Sequence, residues 1–443
     1  MIGQKGWGKF LFAVLAGGMI LINSTYGLAA PLELSLADSI ALALKNNPAV
    51  KMAQADETNA NWAVSEAKAK FGPALTFTHI DARSEIEGLS LQSYLAGTSF
   101  YLPDITLGGA STSFDNRISV SVPLYSGGNL EGTLAQAKQK LTVAGLEVRK
   151  TEQQLKLDTT NAYFSVLQTR DLLQVSREGL DNLATHLETV RAQYDAGTVN
   201  RSDVLRSEVE LINKKQDLMK AQNNYTQALD SLKNRLGLPL DSEIRVKGDL
   251  TYQKYMQSLE DCIHYALQHR SDVLQAHMQT DIAQSGVKVA KSNASPQVTV
   301  NGSNDWADNK FPGTKQSYWS ISLSASFNLF DSGLTKAKVK EAESGVDKAQ
   351  EQIRQTKDTA ILEVTQAYLD LGVAESRIEA SKNAVAKAQE TCRINEVRYT
   401  EGVGTNLDVL DAQLALTRAQ TDYHQALYDY NSSKARLEKA MGI

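Results

Sequence analysis

Cysteine is almost absent from this chain: its 443 residues include only Cys262 and Cys392, 130 positions apart. A disulfide scaffold is thereby excluded, and so is a thiolate-rich metal site, because neither a CxxC pair nor clustered His/Cys spacing occurs. Eight prolines, 28 glycines and 7% aromatics are also few in a text dominated by Ala, Leu, Gln, Lys and Glu, which favours long helices over a set of compact globules. No GxSxG, P-loop or GxGxxG pattern is present, so no catalytic residue, cofactor or metal is expected. A hydrophobic fraction of 42% with mean hydropathy -0.31 is too polar for a bundle of membrane helices. A basic excess is lacking as well: the net charge is -5, which gives no reason to expect nucleic acid as a partner.

One apolar run stands out, Phe10 to Ile22, after Lys5 and Lys9 and before Gly27-Leu28-Ala29. This is the layout of a secretory signal cut after Ala29. The run is shorter than the roughly 20 residues of a membrane span. Residue 30 is alanine, so no lipoprotein-type lipid anchor is expected. Removing residues 1–29 takes two lysines and no acids, which leaves -5 - 2 = -7. In an exported protein the two cysteines could pair, but Cys392 falls on an apolar helix seam and is expected to be a buried free thiol.

The chain repeats itself. An offset of 205 holds without a gap from about Ser119 to Leu238, matching Leu124-Tyr125 to Leu329-Phe330, Ala162-Tyr163 to Ala367-Tyr368 and Leu236-Gly237-Leu238 to Met441-Gly442-Ile443. Upstream the offset becomes 223, with Val50 answering to Val273 and Pro73 to Pro296. The difference, 223 - 205 = 18 residues, lies between Pro73 and Pro123 and reads as an enlarged loop around Gly88, Gly97, Pro103 and Gly108-Gly109.

Each copy predicts a helix (Leu36 to Phe71, Leu259 to Asn293), two strands, a very long helix, a turn and a returning helix. From Ser320 to Asn328 polar and apolar residues alternate, which places one face in water and the other in an apolar medium. Each second strand is close to the 9–11 residues of a membrane-spanning β-strand, and Tyr318 and Trp319 flank one end as an interfacial girdle would. The long helices, Asn129 to Tyr194 and Leu334 to Tyr399, have 66 residues each, roughly 100 Å at 1.5 Å per residue. Their four-three spacing of apolar and small residues (Leu180, Leu183, Leu187, Val190, Tyr194 in the first) is a coiled-coil seam. At their ends Gly197, Gly402 and Gly404 mark hairpin turns, with Ser202 and Asn406 as expected N-caps of the returning helices. Four strands per chain cannot close a membrane barrel. Two chains would give eight and three would give twelve, and only the larger leaves room for a lumen.

These features together resemble the TolC-type outer-membrane efflux protein family. The resemblance rests on the duplicated order, the strand-to-helix junctions Leu124-Tyr125-Ser126-Gly127-Gly128 and Leu329-Phe330-Asp331-Ser332-Gly333, and the turns followed by Asp203-Val204-Leu205 and Asp408-Val409-Leu410-Asp411. It implies an α+β fold, mostly α: long antiparallel coiled-coil helices in a trimeric α-barrel, continuous with a twelve-stranded transmembrane β-barrel, four strands per protomer. The corresponding units are a signal peptide (1–29), the first repeat (30–238), an equatorial linker (239–258) contributing to a belt, and the second repeat (259–443). It further implies an outer-membrane location reaching into the periplasm, a periplasmic adaptor and an inner-membrane transporter as partners, and outer-membrane lipid around the barrel.

The same resemblance assigns the pore constriction to Asp408 and Asp411, and gate contacts to Tyr399 reaching towards Asp203 and Ser202. The family's inner turn usually carries an arginine where Gly404 stands here, with Arg201 the candidate to replace it from the other turn. The alternative is a trimeric coiled-coil surface or scaffold protein whose strands form a soluble head.

Overall fold

The duplication is visible element by element in a computed structural model, which describes residues 32–90 and 106–443. The expected signal peptide and the 91–105 part of the expected loop lie outside the described residues. The first half runs β1 (Leu32–Leu34), α1 (Leu36–Asn46), α2 (Pro48–Ala69), β2 (Ala74–Ser90), β3 (Thr106–Tyr125), α3 (Asn129–Asp195) and α4 (Arg201–Arg235). The second runs β4 (Ile244–Val246), α5 (Leu259–His269), α6 (Ser271–Ser292), β5 (Gln297–Asp308), β6 (Gln316–Ser326), α7 (Leu334–Thr400) and α8 (Asn406–Met441). Helices α3 and α7 have 67 residues each, one more than the sequence pattern marked.

Two expectations are corrected. Each leading helix is a pair, broken at Asn47 (φ -64°, ψ 130°) and at Arg270 (φ -64°, ψ 128°). Pro48 forces the first break, since the residue before proline is driven out of the helical region. No proline follows Arg270. Its buried guanidinium is instead held by Asp272 (2.6 and 3.0 Å), Glu363 (2.7 Å) and the Ala440 carbonyl (2.9 Å). The extra residues of the first copy, in turn, do not simply enlarge a loop. β2 and β3 span 17 and 20 residues against 12 and 11 in β5 and β6, so much of the extra length prolongs the hairpin itself.

The four long strands form one antiparallel sheet in the order β2-β3-β5-β6. Its register sorts side chains cleanly. One row crosses the sheet as Thr76, Ser119, Ser303, Ser320, and the next as Leu75, Val120, Gly302, Ile321. On the polar face Ser121 donates to Asn301 (2.9 Å), and Arg117 pairs with Asp305. The apolar face is bare: Trp319, Ile321 and Leu75 are each more than 70% exposed. No helix among the described residues is long and apolar enough to cross a membrane.

The main core sits at mid-height, where Tyr163, Leu167, Leu232, Val364, Tyr430 and Leu437 of α3, α4, α7 and α8 pack with α1 and α5. The expected linker joins this level: β4 pairs in parallel with β1, and the Tyr163 hydroxyl donates to the carbonyl of Lys247 beside it. Cys262 and Cys392 are free and buried. Burial, with Glu396 nearby, pushes the Cys392 thiol up to about 12, so it behaves as a small apolar side chain.

Candidate functional site: the tips of the helical hairpins

The free ends of α3/α4 and α7/α8 come together in a second, much smaller cluster of Val190, Tyr399 and Val409, with Val199 and Val204 against it. Both turns are built on a left-handed glycine, Gly197 (φ 76°) and Gly402 (φ 74°), a conformation that costs other residues strain. In the first, Thr198 N–H closes onto Gln193 O (2.9 Å); in the second, Val403 and Gly404 N–H both reach Arg398 O (2.9 Å). Gly404 is there for space. A Cβ on it would stand 3.1 Å from Arg398 Cβ and from Tyr399 N. An arginine in this turn would need its neighbours to give by a few tenths of an ångström. Arg201, the expected substitute, is exposed and makes no ion pair among the described residues.

The N-caps lie earlier than the sequence suggested. They are Asn200 and Thr405 rather than Ser202 and Asn406. Thr405 forms a capping box: Asp408 N–H donates to Thr405 Oγ1 (3.2 Å), while Thr405 N–H and Oγ1–H both donate to Asp408 Oδ2 (3.0 and 2.7 Å). These bonds, with Arg398 nearby, hold the Asp408 carboxyl below the usual range, so it is ionised at neutral pH. Asp408 and Asp411 are exposed on one side of α8, whereas Asn406, Val409 and Ala412 are buried on the other.

Tyr399 is 3% exposed and packs its ring against His186 at 5.1 Å. Its buried hydroxyl has no hydrogen-bond partner among the described residues. The expected reach to Asp203 and Ser202 is therefore not a bond here: Asp203 contributes only a charge that, after burial, raises the Tyr399 pKa, and Ser202 is exposed. Asp203 does join the two hairpins, but through its backbone carbonyl, which accepts from Asn406 Nδ2 (3.1 Å). Sequence reasoning placed Asn406 only as a cap and missed its buried partners His186 and Ser207. The available signal was a histidine beside Leu187 on an otherwise apolar seam.

The profile of the outer membrane efflux protein family matches residues 39–238 and 262–443, two segments that coincide with the two repeats. The chain belongs to this family. Among relatives, the outer membrane protein TolC of Escherichia coli is 24% identical over 309 residues, covering 66% of this chain and 62% of that protein, less than two thirds of its length. The toluene efflux pump outer membrane protein TtgF of Pseudomonas putida is 24% identical over 339 residues, covering 75% of this chain and 70% of that protein. Among solved structures, outer membrane protein VceC of Vibrio cholerae superposes with a TM-score of 0.76 at 18% identity, covering 92% of this chain and 96% of that one. The open state of the MtrE outer membrane channel of Neisseria gonorrhoeae gives 0.76 at 19%, covering 92% and 88%. The fold of the efflux-protein family thus extends over both the sheet and the helices.

Proposed function

We propose that three copies of this chain form a passive export duct in the outer membrane, a β-barrel continued by a tube of helices across the periplasm. An inner-membrane transporter supplies the energy, a periplasmic adaptor docks at the hairpin tips, and the cargo is small molecules or proteins. The observation that carries this reading is the sheet. Its four strands offer one apolar and one polar face, and the outer edges of β2 and β6 have no partner among the described residues. Open edges do not persist in lipid, so the sheet closes only with strands from other chains; three chains give twelve strands with a water-filled lumen.

At the other end of the duct, Asp408 and Asp411 from three chains gather six carboxylates at the narrowest point. Such a ring attracts cations and repels anions. Tyr399 acts in this gate as a packing wedge, Asp203 through its carbonyl, and Ser202 at the exposed rim.

Reconstitution into planar bilayers tests the duct: discrete conductance steps are expected, and their absence would favour a coiled-coil scaffold. Asp408→Ala with Asp411→Ala should weaken cation selectivity and block by divalent cations. Unchanged selectivity would remove the constriction from these residues.

A further inference from the structure

The polar face of the sheet presents its charges unevenly. In the regular rows between Ser111 and Ser121 of β3 it carries three charged side chains among the described residues, Asp115, Arg117 and Asp305. Arg117 and Asp305 stand directly opposite each other on β3 and β5, and Arg117 Nε donates to Asp305 Oδ1. Ser303 Oγ donates to the other carboxylate oxygen (2.7 Å). Both oxygens of Asp305 are thereby engaged, and its side chain is 9% exposed against 58% for that of Arg117. Thr78 and Tyr318 complete the row with hydroxyls. The pair therefore faces the open side of the sheet with its arginine forward and its carboxylate behind.

We propose that Arg117 is the charge-selecting residue of the barrel lumen, and that its guanidinium receives anionic solutes there, molecules carrying a carboxylate or a phosphate. The inference rests on the duct reading, in which the polar face lines the lumen. With Nε turned to Asp305, the two Nη groups supply the fork that matches two oxygens of such a group. Asp115, two residues along β3 on the same face and bonded by Ser113 (3.1 Å), opposes this attraction. Together Asp115, Arg117 and Asp305 sum to -1 + 1 - 1 = -1 per chain. Without Arg117 three chains would line the barrel with six carboxylates, as many as Asp408 and Asp411 gather at the other end. A duct acidic at both ends repels anions along its whole length, and Arg117 prevents this.

Planar bilayers under a KCl gradient, with tripolyphosphate as the anionic probe, test the assignment. Arg117→Gln is expected to raise the permeability ratio of potassium to chloride several-fold and to abolish block by tripolyphosphate. Arg117→Lys should keep part of the block. Asp305→Asn should shift the ratio the other way and strengthen the block. Combining Arg117→Gln with Asp305→Asn separates presentation from net charge, since this face again carries -1 per chain. The ratio should then match the parent while the block is lost; a block equal to the parent's would overturn the proposal. Each shift should shrink as salt is raised, because screening shortens the reach of fixed charges. If Arg117→Gln fails to insert, Asp305→Asn decides, and an unchanged ratio and block there overturn the inference. A parent that conducts and selects through Asp408 and Asp411 but is not blocked by tripolyphosphate leaves the duct standing and removes the role of Arg117. A parent that does not conduct removes both.

Discussion

The waist and the tip are both places where α3, α4, α7 and α8 meet, yet they are held by different forces. At the waist, Leu232, Leu236, Leu437 and Tyr430 are almost wholly buried along with many apolar neighbours. At the tip only Val190, Tyr399 and Val409 form an apolar cluster, supplemented by the Asn406 network. Apolar burial grows with area, so the larger waist core holds the helices together more strongly than the small cluster at the tip. A contact made from a few bonds is weak in total and sharply geometric. In the proposed duct, that low stability would suit the tip to opening.

The largest effect should therefore come from the waist. Leu232→Ala is expected to cost about 2–5 kcal/mol, measured as a lower thermal unfolding temperature in detergent, with ion selectivity untouched. Asn406→Ala should cost about 1–3 kcal/mol of local stability through unpaired buried groups, visible in hydrogen exchange at the turns and not at the waist. An equal loss of protection at both levels would dissolve the distinction between them.

Acid should act on the tip before the waist. Burial holds His186 below the ordinary imidazole value, against the opposing pull of its Asn406 bond and of Glu396. Also close by are Tyr399 of α7, its hydroxyl raised by burial, and Asp203 of α4. The unfolded or open state then binds the proton more readily. The stabilisation by neutral His186 is complete above the ordinary imidazole range and is lost as pH falls from there towards its depressed folded value. Asp408 is also depressed, so its capping bonds persist until pH falls below the ordinary carboxylate range. Conductance measured against pH should rise first in the imidazole window, and His186→Gln should remove that first rise. The smallest effect belongs to Tyr399→Phe. It removes a buried hydroxyl with no partner among the described residues and should change stability by no more than about 0.5 kcal/mol, or raise it slightly.

Much of this was legible in the sequence because it is periodic. The ungapped repeat, the limits of α3 and α7 to within a residue, the glycine turns and the two faces of β6 all follow from local spacing. What escaped notice depends on meetings across the chain. Nothing local announces the break at Arg270, where Ser271 stands in place of Pro48 and the bend is held by Glu363 and the Ala440 carbonyl. Asn406 fits an N-cap by type, but Thr405 next to it also has its N3 carboxylate, Asp408, and wins the position. The Asn406 contact with His186 spans 220 positions, beyond the reach of any spacing rule.

The outer edges of β2 and β6, without partners among the described residues, also constrain how the proposed duct is made. A lone sheet carries two rows of amide and carbonyl groups that lipid cannot satisfy, beside an apolar face that water does not favour. Neither solvent accepts a single protomer, so entry into the bilayer must accompany the closing of the ring. For the proposed duct, insertion is then expected to depend on protomer concentration more steeply than linearly, with a dilute chain left outside the bilayer.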